Sequence, residues 1–334
     1  MPDTPALPDP PTLGSHPIGP HPIGPHLVHP IDVDITELAE DYAALRDGAG
    51  VVDLPRDFIR VVGPGALTFL QGQLSQQVEI PVGASAWSLL LQPQGKVVAL
   101  LRLSRMGDEE YVLDTEGGWA AAVVERLNRF KLRVKADIEV VEGWECLAVR
   151  GPRAHEVAPG GVAADWPGFA GVDLIGPAGE VEPPAGVRVC SHAAYELARI
   201  ESGVPVMGRE LDESTIPAEA GIVDLAVSFT KGCYTGQELV ARIDSRGGNV
   251  PRRLRGVVVL DDGPLPPPGT IVHAGGPEAG KDVGVLTSVA RSVRLGGPVA
   301  LAYVRRAVEP PAEVELRWDG DTARAQVLAL PLVS

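Results

Sequence analysis

The spacing of apolar positions changes several times along this chain, and the change-points organise it. Residues 1–30 show no period: HPIGP occurs twice in succession, at 16–20 and 21–25, and PHLVHP follows. Proline fixes φ and lacks an amide donor, so this stretch predicts an extended, disordered leader. From residue 31 helical spacing begins. DITELAEDYAALRDGAG predicts a short helix ended by Gly48 and Gly50, with the strand-like VVDL after it. DFIRVVG (57–63) reads as a strand, and ALTFLQGQLSQQV (66–78) as a helix with Leu67, Leu70 and Leu74 on one face. SAWSLLLQ and GKVVALLRLS predict two strands joined by a turn at Pro93, Gln94 and Gly95. EYVLD adds a strand, and WAAAVVERLNRFKL (119–132) an amphipathic helix with a basic last turn. This β-α-β-β-β-α-β order predicts an α+β unit, with helices on one face of an antiparallel sheet.

A second α+β stretch runs from about 143 to 246. ECLAVRG (145–151) and VRVCS (187–191) read as strands, and SHAAYELARIESG as a helix between a Ser191 cap and a Gly203 cap. After Pro251 six short β runs follow, separated by Gly, Pro and Asp. Their spacing predicts a small barrel or sandwich of roughly 80 residues.

Composition narrows the function classes. A chain of 334 residues exceeds what one core usually serves, so two or three domains are expected. The net charge of −15 disfavours direct nucleic-acid binding, since a phosphate backbone would be repelled on average. No apolar run is long enough for a membrane span, and the N-terminus has no secretory signal pattern. Three cysteines, at 146, 190 and 233, cannot build a disulfide framework and fit a reducing, cytoplasmic setting.

Chemistry concentrates in KGCYTGQE, residues 231–238. Thr235 and Glu238 have capping-box spacing, which predicts a helix from Gly236 to Arg246 ended by Gly247. Cys233 would then stand before a positive helix end with Lys231 two residues away, a setting that favours the thiolate. Cys146 and Cys190 fall inside apolar strands and read as core thiols. No CxxC pair exists and the cysteine spacings are 44 and 43 residues, so the chain has no self-contained metal site or iron–sulfur cluster of its own thiolates. At most Cys233 lends one ligand to a shared cluster. His16, His21, His26 and His29 of the leader have no cysteine or carboxylate among them and read as part of a spacer. Arg242, Arg246, Arg252, Arg253 and Arg255 form either a solvated helix end and strand edge or a basic rim for an anionic tail. Arg199 and Glu201 either end a helix as a salt bridge or converge on one ligand where its last turn loosens. No P-loop is present, and Gly63-Pro64-Gly65 lacks the third glycine of a dinucleotide fingerprint.

The motif resembles the KGC[YF]xGQE signature of the YgfZ proteins, folate-binding relatives of the glycine-cleavage T-protein. GPGALTFLQGQLSQQV, RIESGVPVMGREL with IPAEAG, and DVGVLTSVARS with PVALAYVRR are similar to further segments of that family, so the resemblance covers roughly 31–334. It implies a T-protein-like three-domain ring, with two α+β domains, the first discontinuous, and a C-terminal β-barrel. Mapped here, 31–55 with 142–246 form the first domain, 56–141 the inserted one and 250–334 the barrel. The implied role is assembly or repair of iron–sulfur enzymes, tRNA-modifying ones among them, with tetrahydrofolate as ligand and client enzymes or assembly proteins as partners. Lys231, Cys233, Tyr234, Gly236, Gln237 and Glu238 carry over as site residues, with Arg199, Glu201 and Arg242 beside them. The alternatives are a folate-dependent aminomethyltransferase, or a folate-binding regulatory module with no redox step. The transferase's G-G-x-x-D-D run corresponds to residues 94–99, which places Val98 and Ala99 at the acid-pair positions.

Overall fold

The computed structural model describes residues 35–276 and 279–333; the leader spanning 1–30, with its repeated HPIGP, lies outside them. Two five-stranded sheets and a barrel make up the architecture. In the first sheet, β1 (Gly50–Asp53) pairs antiparallel with β7 (Trp144–Arg150), Gly50 opposite Arg150 and Asp53 opposite Leu147. The chain therefore leaves this sheet after Asp53 and rejoins it at Trp144. β7 pairs on its other side with β9 (Gly171–Pro177), which carries the two-residue β8 (Val162–Ala163) at the edge. Parallel to β1 lies β10 (Arg188–Val189), also two residues long.

The excursion between those strands folds as the second sheet, in the order β3-β4-β5-β2-β6. Its members are β2 (Arg56–Val62), β3 (Ser85–Leu91), β4 (Val97–Arg105), β5 (Glu110–Glu116) and β6 (Asp137–Val141). Helices α2 (Ala66–Gln73) and α3 (Ala120–Phe130) cover one face, where Leu70, Phe69, Val123 and Leu127 meet Ile59, Leu101 and Leu113. β4 is buried at every position from Val97 to Ser104. A strand covered on both faces reads as a continuous apolar run, as VVALLRL does.

Residues from Pro251 onward close into a six-stranded barrel, β11-β14-β13-β12-β15-β16. Its strands are β11 (Arg252–Val259), β12 (Ile271–Ala274), β13 (Asp282–Arg291), β14 (Pro298–Arg305), β15 (Ala312–Trp318) and β16 (Asp321–Leu328). Closure leaves no sheet edge, and alternate residues such as Val257, Leu286, Ala300, Leu316 and Val327 fill the interior. Helices α1 (Ile35–Asp47) and α5 (His192–Ser202) lie against this barrel: Tyr42, Leu45, Leu197 and Ile200 share a core with Leu301 and Tyr303. Three short helical segments, α4 (Ala154–Val157), α6 (Pro217–Ala220) and α7 (Val223–Ala226), and the two-turn α8 (Gln237–Asp244) complete the chain. The expected fold class, α+β with a C-terminal β-barrel, is the observed one.

Two local expectations change. α2 stops at Gln73 instead of reaching 78. Leu74 is wholly buried but extended, bridging to Leu90, and the Ser75 amide donates to the Leu89 carbonyl at 3.0 Å. Its apolar side chain fits either conformation, and pairing with β3 decides which. β9 was not among the expected strands, because Gly171, Gly176 and Pro177 interrupt its apolar pattern.

Candidate functional site

A small cavity of about 30 Å³ lies between the two sheets. Its aromatic wall is Trp87, Trp166, Phe169 and Tyr195, with the Trp87 and Trp166 rings edge-to-face at 6.0 Å. Its polar groups are Arg56, Glu116 and Arg150. Behind it runs a chain of alternating buried charges. Arg56 pairs with Asp114 at 2.6 Å, Asp114 with Arg102 at 3.0 Å, Arg102 with Asp173 at 2.9 Å, and Asp173 with Arg150 at 2.6 Å. Asp114 belongs to β5 and Asp173 to β9, so Arg102, with no exposed side-chain surface, ties one sheet to the other. Burial would raise the Asp173 pKa, but the guanidiniums of Arg150, Arg102 and Arg56 hold it down to about 2. At the cavity wall Glu116 lies 3.5 Å from Arg56, and desolvation there raises its carboxyl above the usual range. These residues were absent from the sequence-based site. Their signal was a single charge inside each apolar strand: Arg102 in VVALLRLS, Asp114 in YVLDT, Arg150 in CLAVRG and Asp173 in VDLIG.

The KGCYTGQE loop is anchored at several points. Lys231 Nζ donates to the carbonyls of Leu74 at 2.6 Å and Gln76 at 2.8 Å, which fastens the loop to the segment after α2. Burial lowers the Lys231 pKa to about 8. Tyr234 is buried, with its phenol pushed up to about 12 by burial, and Lys231 Nζ lies 5.4 Å from its ring centroid. Tyr234 shares a core cluster with Leu91, Val97, Leu100 and Met207, and the last two also line the cavity. Gly236 has φ +87°, and a Cβ there would lie 2.6 Å from the Gln92 carbonyl oxygen. Gly95 is equally confined, 2.6 Å from Leu239 Cβ, so the β3–β4 turn and the start of α8 touch through two glycines. Cys233 is exposed, whereas Cys146 and Cys190 are buried, as their strand positions predicted.

The expected capping box does not form. Gly236 takes the cap position, and the Thr235 side chain instead donates to the Gly72 carbonyl at 3.4 Å. Gln237 does the reaching back, its Oε1 accepting from the Tyr234 amide at 3.2 Å. Glu238 is exposed. A left-handed glycine at the cap moves the start of the helix one residue along, which takes Thr235 and Glu238 out of capping-box register. The helix ends at Asp244, followed by the left-handed Gly247.

Arg199 and Glu201 do not converge. Arg199 is fully buried and donates to Glu196 at 2.9 Å, to Ser288 at 2.8 Å and to the Val204 carbonyl at 3.0 Å, with Glu210 at 3.4 Å. Glu201, also fully buried, accepts from Tyr42 and, at 2.5 Å, from Ser292. Both therefore fasten α5 to its surroundings, Ser288 being in β13, and neither lines the cavity. Their helix does begin and end as predicted, at a Ser191 cap bonded to the Ala194 amide and a left-handed Gly203. Arg242 and Arg246 are exposed, whereas Arg252 pairs with Glu219 and stacks on Tyr303.

Val98 and Ala99, at the acid-pair positions, lie on a bulged part of β4. Leu90 pairs with Ala99 and Leu91 with Val97, so Val98 is the extra residue of a bulge. Val98 and Ala99 both face the core beneath α2 and α3, and it is Leu100 that reaches the cavity. The cavity-facing residue of this run is apolar, so the run supplies no carboxylate. Among the described residues, no cluster of His, Cys, Asp or Glu is arranged to hold a metal ion, and no helix is long and apolar enough to cross a membrane.

Residues 33–167 match the GCVT N-terminal domain, and residues 252–334 the glycine cleavage T-protein C-terminal barrel domain. The two matches fall on the α+β part and on the barrel. A protein named aminomethyltransferase from Thermus thermophilus is 28% identical over 341 residues, covering 91% of this chain and 92% of that one. Another of that name, from Streptomyces avermitilis, is 26% identical over 335 residues, covering 87% and 88%. The solved structure of glycine cleavage system aminomethyltransferase T from Bartonella henselae superimposes with a TM-score of 0.77, at 23% identity and over 89% of each chain. At that identity the likeness is one of fold.

Proposed function

We propose that this protein binds tetrahydrofolate in the cavity between the sheets and supports assembly or repair of iron–sulfur enzymes, tRNA-modifying ones included, through Cys233. The observation that carries the second half is the contrast among its thiols. Cys233 alone is exposed, on a loop whose neighbours Lys231, Tyr234 and Thr235 are all anchored. A thiol held out by an ordered loop has no packing role. It can offer one sulfur ligand to a cluster whose other ligands belong to a client enzyme, since four are normally needed.

Folate fits the chemistry of the cavity. The aromatic wall suits the face of a pterin, and Glu116 offers an acceptor for its N–H edge. A free volume of about 30 Å³ holds roughly one water, so entry of the ring requires Trp87 and Trp166 to part. Titration with tetrahydrofolate should therefore change tryptophan fluorescence, and Glu116→Gln should weaken binding about tenfold, the loss expected for one buried charged hydrogen bond. Saturable binding unaffected by Glu116→Gln and by Trp87→Ala would move folate elsewhere.

The aminomethyltransferase reading has the names of the relatives in its favour. Against it stands Leu100, which leaves the β4 side of the cavity without a carboxylate for proton transfer. Folate-dependent release of ammonia from an aminomethyl donor decides it. In the remaining reading, a regulatory folate module, Cys233→Ser behaves as wild type.

A further inference from the structure

A second concavity, of about 540 Å³, runs along α2 beside its packed face, with Phe69 and Val134 as its apolar lining. Pro64, Gly65 and Thr68 form one wall, Gly72 and Gln73 its end, and Arg133 and Lys135 the facing wall. The walls are fixed: the Gly65 amide donates to the Lys135 carbonyl at 2.9 Å, and a Cβ on Gly63 would lie 2.7 Å from that oxygen. At the end of the groove a Cβ on Gly72 would meet nothing within 4 Å. Glycine inside a helix is disfavoured relative to alanine, and Gly72 uses no left-handed conformation that would account for it. What its missing side chain provides is room. Thr235, two residues after Cys233, donates its amide to the Gly72 carbonyl at 3.1 Å, so the groove ends against the KGCYTGQE loop.

The facing wall is basic and unpaired. Arg129, Lys131, Arg133 and Lys135 occur within seven residues, and none of them lies within ion-pair distance of a carboxylate among the described residues. Glu125 and Asp137 flank the segment along the chain, both exposed. Between the cations Leu132 is 81% exposed. In a chain of net charge −15, four cations within seven residues around an exposed leucine make a local positive patch.

We propose that this groove docks an acidic segment of a partner protein, with a large apolar side chain seated over Gly72 and carboxylates on Arg133 and Lys135. A protein segment is favoured over a nucleic acid because the basic stretch is short and the chain around it strongly acidic, which suits a local contact and opposes a long polyanion. The proposal needs neither folate nor a cluster and stands independently of them.

The test uses the full chain and a short fluorescent peptide in which glutamates alternate with leucines, measured by anisotropy. Binding is expected, weakened by salt. The double variant Arg133→Glu with Lys135→Glu should lower affinity about tenfold or more by charge reversal, and Gly72→Trp should do the same by filling the groove. Both changes are at open positions, and unaltered thermal melts confirm the fold. Equal binding by all three proteins overturns the proposal. So does an oligonucleotide, or polyglutamate without leucine, binding as tightly as the peptide. Self-association of the wild type that Gly72→Trp abolishes would assign the groove to a second copy of the chain and overturn it equally.

Discussion

Arg199 with Glu201 and Lys231 with Cys233 were two pairs of chemistry-bearing residues in the sequence, and folding treats them in opposite ways. In the first pair each charge is wholly buried and every partner is supplied by the protein: Glu196, Glu210 and Ser288 for Arg199, Tyr42 and Ser292 for Glu201. In the second, Lys231 is used up by two carbonyls while Cys233 is left exposed. A saturated charge holds structure, because its removal orphans a buried partner. A thiol that the fold anchors around but does not enclose is accessible from outside.

The largest effect that would break this contrast is at Arg199. Replacing it by Met leaves Glu210 without its cation and Glu196 with Arg209 alone, and should destabilise the protein by about 3–5 kcal/mol in urea unfolding. A loss below about 1 kcal/mol would remove Arg199 from the structural class. The acid limb offers a second check. Burial would raise the Glu196 carboxyl, but Arg199 and Arg209 lower it to about 2. A carboxylate depressed in the folded state contributes stability above its unfolded pKa, near 4.5, and loses it as pH falls towards about 2. Arg199→Met should shrink that part of the stability profile, with Arg209 keeping the remainder.

Next in size is Lys231→Met, which removes two hydrogen bonds from a charged donor and should cost about 1–2 kcal/mol. Because burial holds the Lys231 pKa at about 8, below its ordinary 10.5, the unfolded chain binds the extra proton between those values. Stability of the wild type should therefore rise relative to the Met variant from pH 8 to 10.5. Parallel pH curves would show that the two carbonyls offset the desolvation. A smaller effect of opposite sign is expected at Gly72. Alanine there should stabilise α2 by about 0.5–1 kcal/mol, since nothing occupies the space.

What the sequence disclosed follows from how local each signal is. The barrel was legible because six alternating runs were punctuated by Gly, Pro and Asp. The α5 helix was legible from Ser191 and Gly203, since caps are read from one or two residues. The cavity was not, because Arg56, Glu116, Arg150 and Tyr195 come from four separate strands and helices and meet only through tertiary pairing. Arg199 misled because a conspicuous charge near a helix end looks the same in sequence whether its partners are ligands or Ser288, 89 residues on. The Val98 bulge shifted the face of β4 by one residue, which no alternation rule detects.

Cys233 carries the central claim. Cys233→Ser should leave stability within about 0.5 kcal/mol, as expected for an exposed position. In a strain lacking this gene, the same variant should fail to restore the activity of iron–sulfur enzymes that the wild type restores. Full restoration by a folded Cys233→Ser protein would contradict the account.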